Sequence, residues 1–383
     1  MRVLHAISGI DPSNGGPTFA LLGLTSALVR LGCDVEVVAT WQRDEGPAFA
    51  DTFRNAGVKV TMIGRAHGVL SRHPDLRRIV AERVAEADVV HIHGVWEQMQ
   101  YEAAWRAVDA GKPFVVAPHA MLGEWGMAKG RLKKWLFYHC RTARWLRRAR
   151  AIHAISDAEQ LSLRRLRLPT EIIVEPCGIE SSEFETLPSK GFLRGRFCET
   201  QDHPLCLYLS RFDPVKGIDL LLPAFRLLVD RGSAARLVMA GPDYQGYEAD
   251  VRRMVRELHL EDRVIFAGML HGAERVAALV DADLFVLTSH AENFGIACIE
   301  AMAAGRAVVV SDRVAAESEV RACTGGLVVP LEPQAIAATI ESLLNDRSTA
   351  EAMGRRGREH VLARLTWPPI AKRWLEHYRA MSR

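Results

Sequence analysis

Short apolar runs alternate with amphipathic stretches along the first half of the chain. The runs predict strands at residues 3–7, 35–39, 58–63, 89–93, 114–117, 151–155 and 172–174. The stretches between them predict helices that begin near residues 19, 48, 74, 98, 130 and 157. Strand–helix alternation of this kind is typical of an α/β fold with a mostly parallel, doubly wound sheet.

A second alternating series follows residue 200. Its strands are predicted at residues 205–210, 236–240, 264–267, 284–287, 308–310 and 326–329. Residues 180–200 are polar, mixed and turn-rich, which favours a linker between the two series. We therefore expect two Rossmann-like domains, at 1–185 and 186–365, with ligands bound in a cleft between them.

Composition places the chain among globular proteins. Of the 383 residues, 49% are hydrophobic and 25% are charged. No apolar run approaches the ~20 residues that span a bilayer, and the N-terminus resembles a first strand rather than a signal peptide. The seven cysteines are odd in number and form no C-x-x-C pair, which indicates a reducing, cytoplasmic environment and no zinc site.

Residues 127–150 concentrate positive charge. They contain nine Lys and Arg residues and no Asp or Glu, interleaved with Trp135, Leu136, Phe137, Trp145 and Leu146. One interpretation is a surface that lies on anionic lipid, which would make the protein peripheral at the inner membrane face. Others are attraction of a polyanionic acceptor, or a solvated helix whose aromatic residues pack inward. Nucleic acid is not expected, because nothing else in the chain resembles a reader module.

Two glutamates stand around a Phe-Gly turn between two apolar runs. Glu292 follows the predicted strand 284–287, and Glu300 lies two turns into an Ala-rich helix that stops at Gly305, before the next strand. The backbone N–H groups at the start of this helix favour a negatively charged ligand such as a phosphate. Either glutamate alone is equally consistent with an ordinary surface residue of a helix.

The segment 209–217 also joins a strand to a helix, and it carries two cations. Arg211 offers a planar fork of donors and Lys216 a point charge, so both can converge on one diphosphate. Taken alone, they are more consistent with ordinary surface cations than with a ligand site.

A glycine pair and three histidines complete the candidates in the first half. Gly15 and Gly16, in the loop Ser13-Asn14-Gly15-Gly16, allow backbone N–H groups to approach a phosphate or a hydroxyl. The loop is not G-x-G-x-x-G, which argues against a nicotinamide cofactor.

His91 and His93 share one face of a strand, so a metal pair is conceivable. However, no third ligand is evident, and we expect both to be hydrogen-bonded structural residues. His119 follows the next strand.

These segments resemble the retaining nucleotide-sugar glycosyltransferases of family 4 (glycosyl transferases group 1), which have the two-domain GT-B fold. The family pattern is Glu-x-Phe-Gly, then Glu-Ala-Met-Ala-x-Gly, matched here from Glu292 and from Glu300. Only Arg306-Ala307 departs from it, because the family usually has Pro at the second position. Residues 209–217 resemble the family's Arg-x-x-x-x-Lys-Gly motif. Residues 366–383 resemble its closing helix, which completes the first domain.

The resemblance implies a role for each matching residue. Glu300 would hold the ribose hydroxyls, Glu292 the sugar hydroxyls, and Arg211 and Lys216 the departing diphosphate. His119, in a segment similar to the Pro-His-Gly-Met-Leu of bacterial exopolysaccharide transferases, would orient the donor sugar. The remaining donor-binding residues would be Gly15, Gly16, Asn293, Phe294, Gly295, Ile296, Gly241 and Leu270. Glu124 and Trp125 are candidates for the acceptor pocket.

The function predicted on this basis is transfer of a sugar from a nucleotide-diphospho-sugar to a glycan or lipid-linked saccharide, with retention of configuration. No metal or other cofactor is expected, because the cations replace it and no Asp-x-Asp motif is present. UDP- and GDP-linked sugars fit equally well, and cell-surface polysaccharide biosynthesis is the expected context. The alternatives are a nucleotide-sugar epimerase or hydrolase on the same fold, or a non-catalytic sugar-nucleotide binding scaffold.

Overall fold

The computed structural model of the protein describes residues 1–12, 15–42, 44–123, 126–127 and 130–383. The chain divides into two compact domains. The first contains Met1–Gly178 and Trp367–Arg383, and the second contains Ile179–Thr366. The sequence placed the first boundary seven residues later, after residue 185. Residues 179–185 lie with the second domain because Phe184 is fully buried there and its carbonyl accepts a hydrogen bond from Arg358 (2.7 Å).

The first domain is built on a parallel sheet. Within the described residues it has seven strands in the order β3-β2-β1-β4-β5-β6-β7. They are β1 Arg2–Ile7, β2 Asp34–Trp41, β3 Lys59–Arg65, β4 Val89–His93, β5 Phe114–Ala117, β6 Ala151–Ala154 and β7 Glu171–Val174. The described helices are α1 Gly16–Arg30, α2 Glu45–Asn55, α3 Leu76–Glu86, α4 Gln98–Asp109, α5 Arg131–Phe137, α6 Ala143–Leu146, α7 Asp157–Arg164 and, after the second domain, α17 Trp367–Met381. A π-helical turn, Tyr138–Thr142, joins α5 to α6.

Both faces of this sheet are covered, which explains why its strands are continuous apolar runs rather than alternating ones. α1 and α17 pack on one face, where Leu24, Trp374 and Tyr378 join one hydrophobic cluster. α3 and α4 cover the other face. α17 therefore belongs to the first domain although it follows the second in sequence.

The second domain repeats the design. Its described strands form a six-stranded parallel sheet in the order β10-β9-β8-β11-β12-β13. They are β8 Leu205–Leu209, β9 Arg236–Ala240, β10 Val264–Gly268, β11 Leu284–Leu287, β12 Ala307–Ser311 and β13 Gly326–Val329. The helices are α8 Ser182–Glu185, α9 Phe192–Arg196, α10 Ile218–Asp230, α11 Tyr247–Glu257, α12 Gly272–Asp281, α13 Ile296–Ala303, α14 Glu317–Cys323, α15 Pro333–Asn345 and α16 Arg347–Arg364. The prediction of two Rossmann-like α/β sheets is confirmed.

The expected linker at residues 180–200 is instead a folded part of the second domain. The buried carboxylate of Asp281, at the end of α12, accepts hydrogen bonds from the backbone N–H groups of Gly191, Leu193 and Arg194 (2.8–3.0 Å). A polar, turn-rich composition does not reveal a partner that lies about 90 residues away in the sequence.

Candidate functional site

The loop after β8 delivers a cation to the carboxyl edge of the second sheet. Asp213 begins a 3₁₀ turn, Pro214–Lys216, by accepting a hydrogen bond from the Val215 backbone N–H (3.0 Å). Gly217, with φ +67°, then precedes the first residue of α10. The turn places Lys216 with only 8% of its surface exposed, and its ammonium forms an ion pair with the Glu292 carboxylate.

The loop after β11 holds that carboxylate in place. Glu292 donates its backbone N–H to Arg313 and its carbonyl accepts from Ala315 (both 3.1 Å). Gly295 has φ +95° and precedes the first residue of α13. A Cβ on Gly295 would lie 2.9 Å from a Val314 methyl group, so the turn requires glycine. The first N–H groups of a helix have no partner within the helix, so an anion at this turn stays a prediction for Asn293, Phe294, Gly295 and Ile296.

Hydrogen bonds tie the two loops together. The His290 N–H donates to the Val215 carbonyl (2.8 Å), and the Thr288 hydroxyl donates to the Gly217 carbonyl (2.9 Å). The approach is so close that a Cβ on Gly217 would lie 1.9 Å from the Thr288 carbonyl oxygen. Because β8 and β11 are parallel neighbours, both loops leave the same edge of the sheet, where α/β proteins bind ligands.

Glu300 lies one and a half turns into α13 and is 7% exposed. Its carboxylate is 3.3 Å from the Arg275 guanidinium, which also pairs with Glu183. Burial raises the pKa of the Glu300 carboxyl to about 7, Arg275 opposes this effect and Glu183 adds to it. Sequence reasoning missed Arg275, since no local motif distinguishes it from other helix arginines. Only the packing of α12 beside α13 brings it to the glutamate.

Arg211 is more exposed than Lys216. Its guanidinium lies 3.4 Å from the Asp213 carboxylate and 4.9 Å from the centre of the Tyr244 ring. Gly241, after β9, lies against the same loop, where a Cβ would be 1.9 Å from the Ser210 carbonyl oxygen. Leu270 is buried just after β10. Thus the predicted donor-site residues of the second domain all follow carboxyl ends of its strands, and Lys216 and Glu292 contact each other directly.

In the first domain, His119 ends a row of histidines. Nδ1 of His93 is 3.1 Å from Nε2 of His119, and Nε2 of His93 is 3.0 Å from Nδ1 of His5. His91 bonds instead to the Tyr378 hydroxyl (2.7 Å). No third ligand beside His91 and His93 is evident from the sequence, but the fold brings His5 next to them. His5 is paired with His91 in the β1–β4 register, so one ring nitrogen of each of His5, His91 and His93 lies within 4.8 Å of the other two.

Burial keeps these imidazoles neutral. It lowers the pKa of His5 and of His119 to about 3, and that of His153 to about 4. The pKa values of His91 and His93 are also lowered well below the ordinary value, first by burial and then by the neighbouring histidines. A neutral imidazole has one N–H donor and one acceptor nitrogen, so each of these rings donates through one nitrogen and accepts through the other.

The turn after β5 that carries His119 is strained. His119 and Ala120 have φ of +51° and +59°, a region that favours glycine. The Glu159 carboxylate holds the turn by accepting from the backbone N–H groups of Ala120 (2.6 Å) and Ile155 (2.9 Å). Ala120 stands where the similar transferases have Gly, and its conformation explains that preference.

A pocket of about 310 Å³ opens at the carboxyl edge of the first sheet. Its lining includes Asp11, Trp41, Gln42, Ser71, Glu97 and His119. The Gln42 amide donates to the Ser71 hydroxyl (2.7 Å), which donates to Glu97 (2.9 Å). An aromatic ring beside several oriented polar groups is a lining suited to a sugar.

The glycine pair lies near this pocket in sequence. Gly15 has φ +70° and precedes α1, and Gly16 and Pro17 form the first residues of the helix. Ser13 and Asn14 of the same loop, and the acceptor candidates Glu124 and Trp125, lie outside the described residues.

The basic segment 127–150 divides into two parts. Trp145 and Leu146 are fully buried in the first domain, as the structural interpretation expected. Leu132, Trp135 and Leu136 on α5 are 79%, 52% and 56% exposed, beside exposed Arg131 and Lys133. Across the described residues, no helix is both long and apolar enough to span a bilayer.

Family models match both domains. The model for "Glycosyl transferases group 1" matches residues 192–360, and that for "Glycosyl transferase 4-like domain" matches residues 15–178. Together they cover most of both domains and agree with the resemblance found in the motifs.

Relatives extend over nearly the whole chain. One is a GDP-mannose:cellobiosyl-diphosphopolyprenol alpha-mannosyltransferase of Xanthomonas campestris, 27% identical over 99% of this chain and 97% of that protein. Another is a D-inositol 3-phosphate glycosyltransferase of Kineococcus radiotolerans, 28% identical over 95% of this chain and 90% of that protein.

Solved structures show the same fold. Anabaena HepE in complex with UDP and glucose superposes with a TM-score of 0.79 at 21% identity, covering 99% of this chain and all of that one. Sucrose-phosphate synthase from Thermosynechococcus elongatus gives a TM-score of 0.76 at 23% identity, covering 100% of this chain and 99% of that one. The fold is therefore GT-B, with two Rossmann-like domains.

Proposed function

Because the chain belongs to the group 1 glycosyltransferases, we propose that it moves a sugar from a nucleotide-diphospho-sugar to a lipid-linked saccharide, with retention of configuration and without a metal ion. The observation that carries the proposal is the Lys216–Glu292 ion pair at the carboxyl edge of the second sheet. It unites one cation suited to a diphosphate with one carboxylate suited to sugar hydroxyls.

The second domain binds the donor in this proposal. Glu300 accepts hydrogen bonds from the ribose hydroxyls, and Gly241 and Leu270 lie against the base. The diphosphate meets Arg211, Lys216 and the first N–H groups of α13, while Glu292 turns to the sugar hydroxyls. Two cations and a helix N-terminus are then fixed where negative charge develops on the leaving group, which is an effective form of transition-state stabilisation.

The chemical step exchanges one bond at the anomeric carbon. The bond from this carbon to the diphosphate oxygen breaks, and a bond to the acceptor hydroxyl oxygen forms on the same face of the sugar. The hydroxyl proton passes to the departing phosphate oxygen, so the leaving group itself serves as the base. Arg211 and Lys216 neutralise the diphosphate and supply the charge that a metal ion supplies in other transferases.

For the acceptor, the pocket of the first domain is our candidate. Trp41 offers an aromatic face, and Gln42, Ser71 and Glu97 offer oriented hydrogen-bonding groups to a saccharide. A diphosphopolyprenol-linked acceptor, of the kind named for the Xanthomonas relative, has a lipid tail that remains in a membrane. The similarity to that relative supports our proposal that the activity serves the synthesis of a cell-surface polysaccharide.

The exposed face of α5 is our candidate for contact with that membrane. Leu132, Trp135 and Leu136 would enter the interface, and Arg131 and Lys133 would meet anionic headgroups. Each basic residue near an anionic surface contributes about 1 kcal/mol. The protein is thus proposed to be peripheral at the cytoplasmic face.

The test is a transfer assay with EDTA-treated protein, labelled GDP-mannose or UDP-glucose, and a diphosphopolyprenol-linked disaccharide. We expect label in the lipid fraction only when protein, the correct donor and the acceptor are all present, with the α-anomer formed from an α-linked donor. Release or isomerisation of the sugar at the same rate without acceptor would instead identify an epimerase or hydrolase. Donor binding without any turnover, across a panel of acceptors, would identify a scaffold.

A further inference from the structure

Three imidazoles form a hydrogen-bonded chain from the interior of the first domain to its pocket. His5 is fully buried on β1, His93 follows on β4, and His119 lines the pocket. The nitrogens that face one another are Nδ1 of His5 and Nε2 of His93 at 3.0 Å, then Nδ1 of His93 and Nε2 of His119 at 3.1 Å. The order of the nitrogens is the same at both contacts.

This repetition couples the three tautomers. Each contact requires one N–H and one bare nitrogen, and a neutral imidazole has one of each. Either every ring is protonated at Nδ1 and donates outward, or every ring is protonated at Nε2 and donates inward. In the first arrangement His119 presents an Nδ1–H to the pocket, and in the second it presents a lone pair.

The inner end of the chain decides between the two arrangements. Nε2 of His5 is buried and has no hydrogen-bond partner among the described residues. Protonation there would bury an N–H donor without an acceptor, which native structures rarely tolerate. Protonation of His5 at Nδ1 leaves only a lone pair without a partner. At the outer end the pocket can satisfy either arrangement.

We propose that His5 and His93 are positioning residues that hold His119 in its Nδ1–H form, so that His119 is a permanent hydrogen-bond donor to the substrate in the pocket. The ligand class rests on the proposed function: an oxygen of the saccharide that the pocket binds. His119 accordingly stabilises an oxygen and does not act as a base toward the acceptor hydroxyl. The three imidazoles are neutral because burial lowers the pKa values of His5, His93 and His119.

Metal binding is the competing use for His5, His91 and His93. A ligand nitrogen must aim its in-plane lone pair at the ion, about 2.0–2.1 Å away for zinc. The rings of His91 and His93 are stacked, with centres 4.4 Å apart and planes within 18° of parallel. Stacked rings direct their lone pairs along parallel planes rather than to a common point. The arrangement therefore favours the hydrogen-bonded chain.

Protein labelled with ¹⁵N in histidine, free of ligand, tests the proposal through two-bond ¹H–¹⁵N correlations. We expect a protonated Nδ1 and a bare Nε2 for His119, His93 and His5, unchanged between pH 6 and 8. In a His5→Phe variant, His93 loses the N–H donor that fixes its tautomer. His119 should then become a mixture of tautomers. His5→Asn, whose amide can donate to His93, should restore the Nδ1–H form. His91→Phe, in the same cluster but outside the chain, should leave the His119 signals unchanged.

Three results would overturn the proposal. They are an Nε2–H form of His119 in the native protein, an imidazolium at pH 7, or an unchanged His119 in a folded His5→Phe variant. Added Zn²⁺ that shifts the His5, His91 and His93 nitrogens together would point to a metal site instead. If His5→Phe does not fold, the native spectrum alone still decides the tautomer. Because no substrate is present, a failure of the proposed transferase activity would leave these spectra unaffected.

Discussion

The ammonium of Lys216 and the carboxylate of Glu292 form an ion pair that joins the loops following two neighbouring parallel strands, β8 and β11. Seventy-six residues separate the partners in sequence. The pair is largely withdrawn from water, so each charge depends on the other or on a ligand. A donor that offers a diphosphate to Lys216 and hydroxyls to Glu292 would satisfy both charges at once.

Removing either partner is expected to abolish most of the transferase activity. Lys216→Ala and Glu292→Gln should each lower kcat by about 10²–10³, the range for loss of one preorganised charge or donor at a transition state. The double variant should lose little more than either single variant, because residues that act as a unit are not additive.

Steady-state kinetics check this result, with Lys190→Ala as the control. Lys190 is an exposed lysine whose ammonium lies 3.9 Å from Asp283, and its removal should leave kcat within about twofold, since exposed ion pairs contribute little. Activity losses that multiply in the double variant would show that the two residues act independently.

Glu300 should make donor binding depend on pH. Its pKa of about 7 means that the carboxylate, the better acceptor for ribose hydroxyls, becomes the main form only above neutrality. Between pH 6 and 8 the affinity for a nucleotide-sugar should rise about tenfold, following the ionised fraction. A nucleotide-sugar is the suitable probe because its substituted diphosphate does not titrate in this range. In Glu300→Gln the affinity for the nucleotide-sugar should be lower and independent of pH. If the affinity of this variant still depended on pH, the dependence would belong to another titrating group.

Ionisation of Glu300 should strengthen donor binding but lower the stability of the folded protein. Its pKa in the folded chain lies above that of an unfolded glutamate, 4.5, so the folded state binds more protons between about pH 4.5 and 7. Its contribution to stability is therefore complete below pH 4.5 and lost as the pH rises through 7. Thermal unfolding should be measured from pH 5 to 8 for both proteins. The Tm of Glu300→Gln, relative to that of the native protein, should rise as the pH rises.

Gly217 should be far less tolerant of a side chain than Gly232. Both have positive φ, +67° and +86°, so alanine costs about 1–2 kcal/mol in backbone conformation at each position. At Gly232 no atom lies within 4 Å of the added Cβ, whereas at Gly217 the Thr288 carbonyl oxygen lies at 1.9 Å. Gly217→Ala should therefore lower Tm well beyond Gly232→Ala and weaken nucleotide binding. Equal losses of Tm would mean that the two loops separate easily.

Membrane contact should depend on α5 rather than on the whole basic segment. We expect sedimentation with phosphatidylglycerol vesicles to fall at least tenfold in the double variant Arg131→Glu with Lys133→Glu, since each basic residue contributes about 1 kcal/mol. An equal fall is expected in Leu132→Ala with Trp135→Ala, which removes the apolar side chains that would enter the interface. Arg147→Glu with Arg148→Glu makes the same charge change beside a different pocket, near the amino ends of β5 to β7, and should have little effect. An equal loss in that control would assign binding to net charge, and unchanged binding in all variants would make the segment structural.

The sequence predicted elements well where local pattern determines them. Both sheets are buried on two faces, so their strands, such as 308–310 in β12, are recognisable in the sequence as continuous apolar runs. The motifs that contain glycine place Lys216 and Glu292 just after strand ends. Partners from distant segments were missed. Arg275 meets Glu300 only through the packing of two helices, and His5 joins His91 only through the β1–β4 register. Residues 180–200 were misjudged because the Asp281 carboxylate that orders them lies far along the chain.

The central claim is that the second domain binds a nucleotide-sugar through Lys216 and Glu300, and calorimetric titration tests it most directly. EDTA-treated protein should bind one of GDP, UDP or ADP in preference to the others. At a hundredfold excess over Kd the ligand should stabilise the protein by about 2.7 kcal/mol. Both effects should be lost in Lys216→Ala and Glu300→Ala. Absence of binding to any of the three nucleotides, or undiminished binding in those variants, would contradict the account.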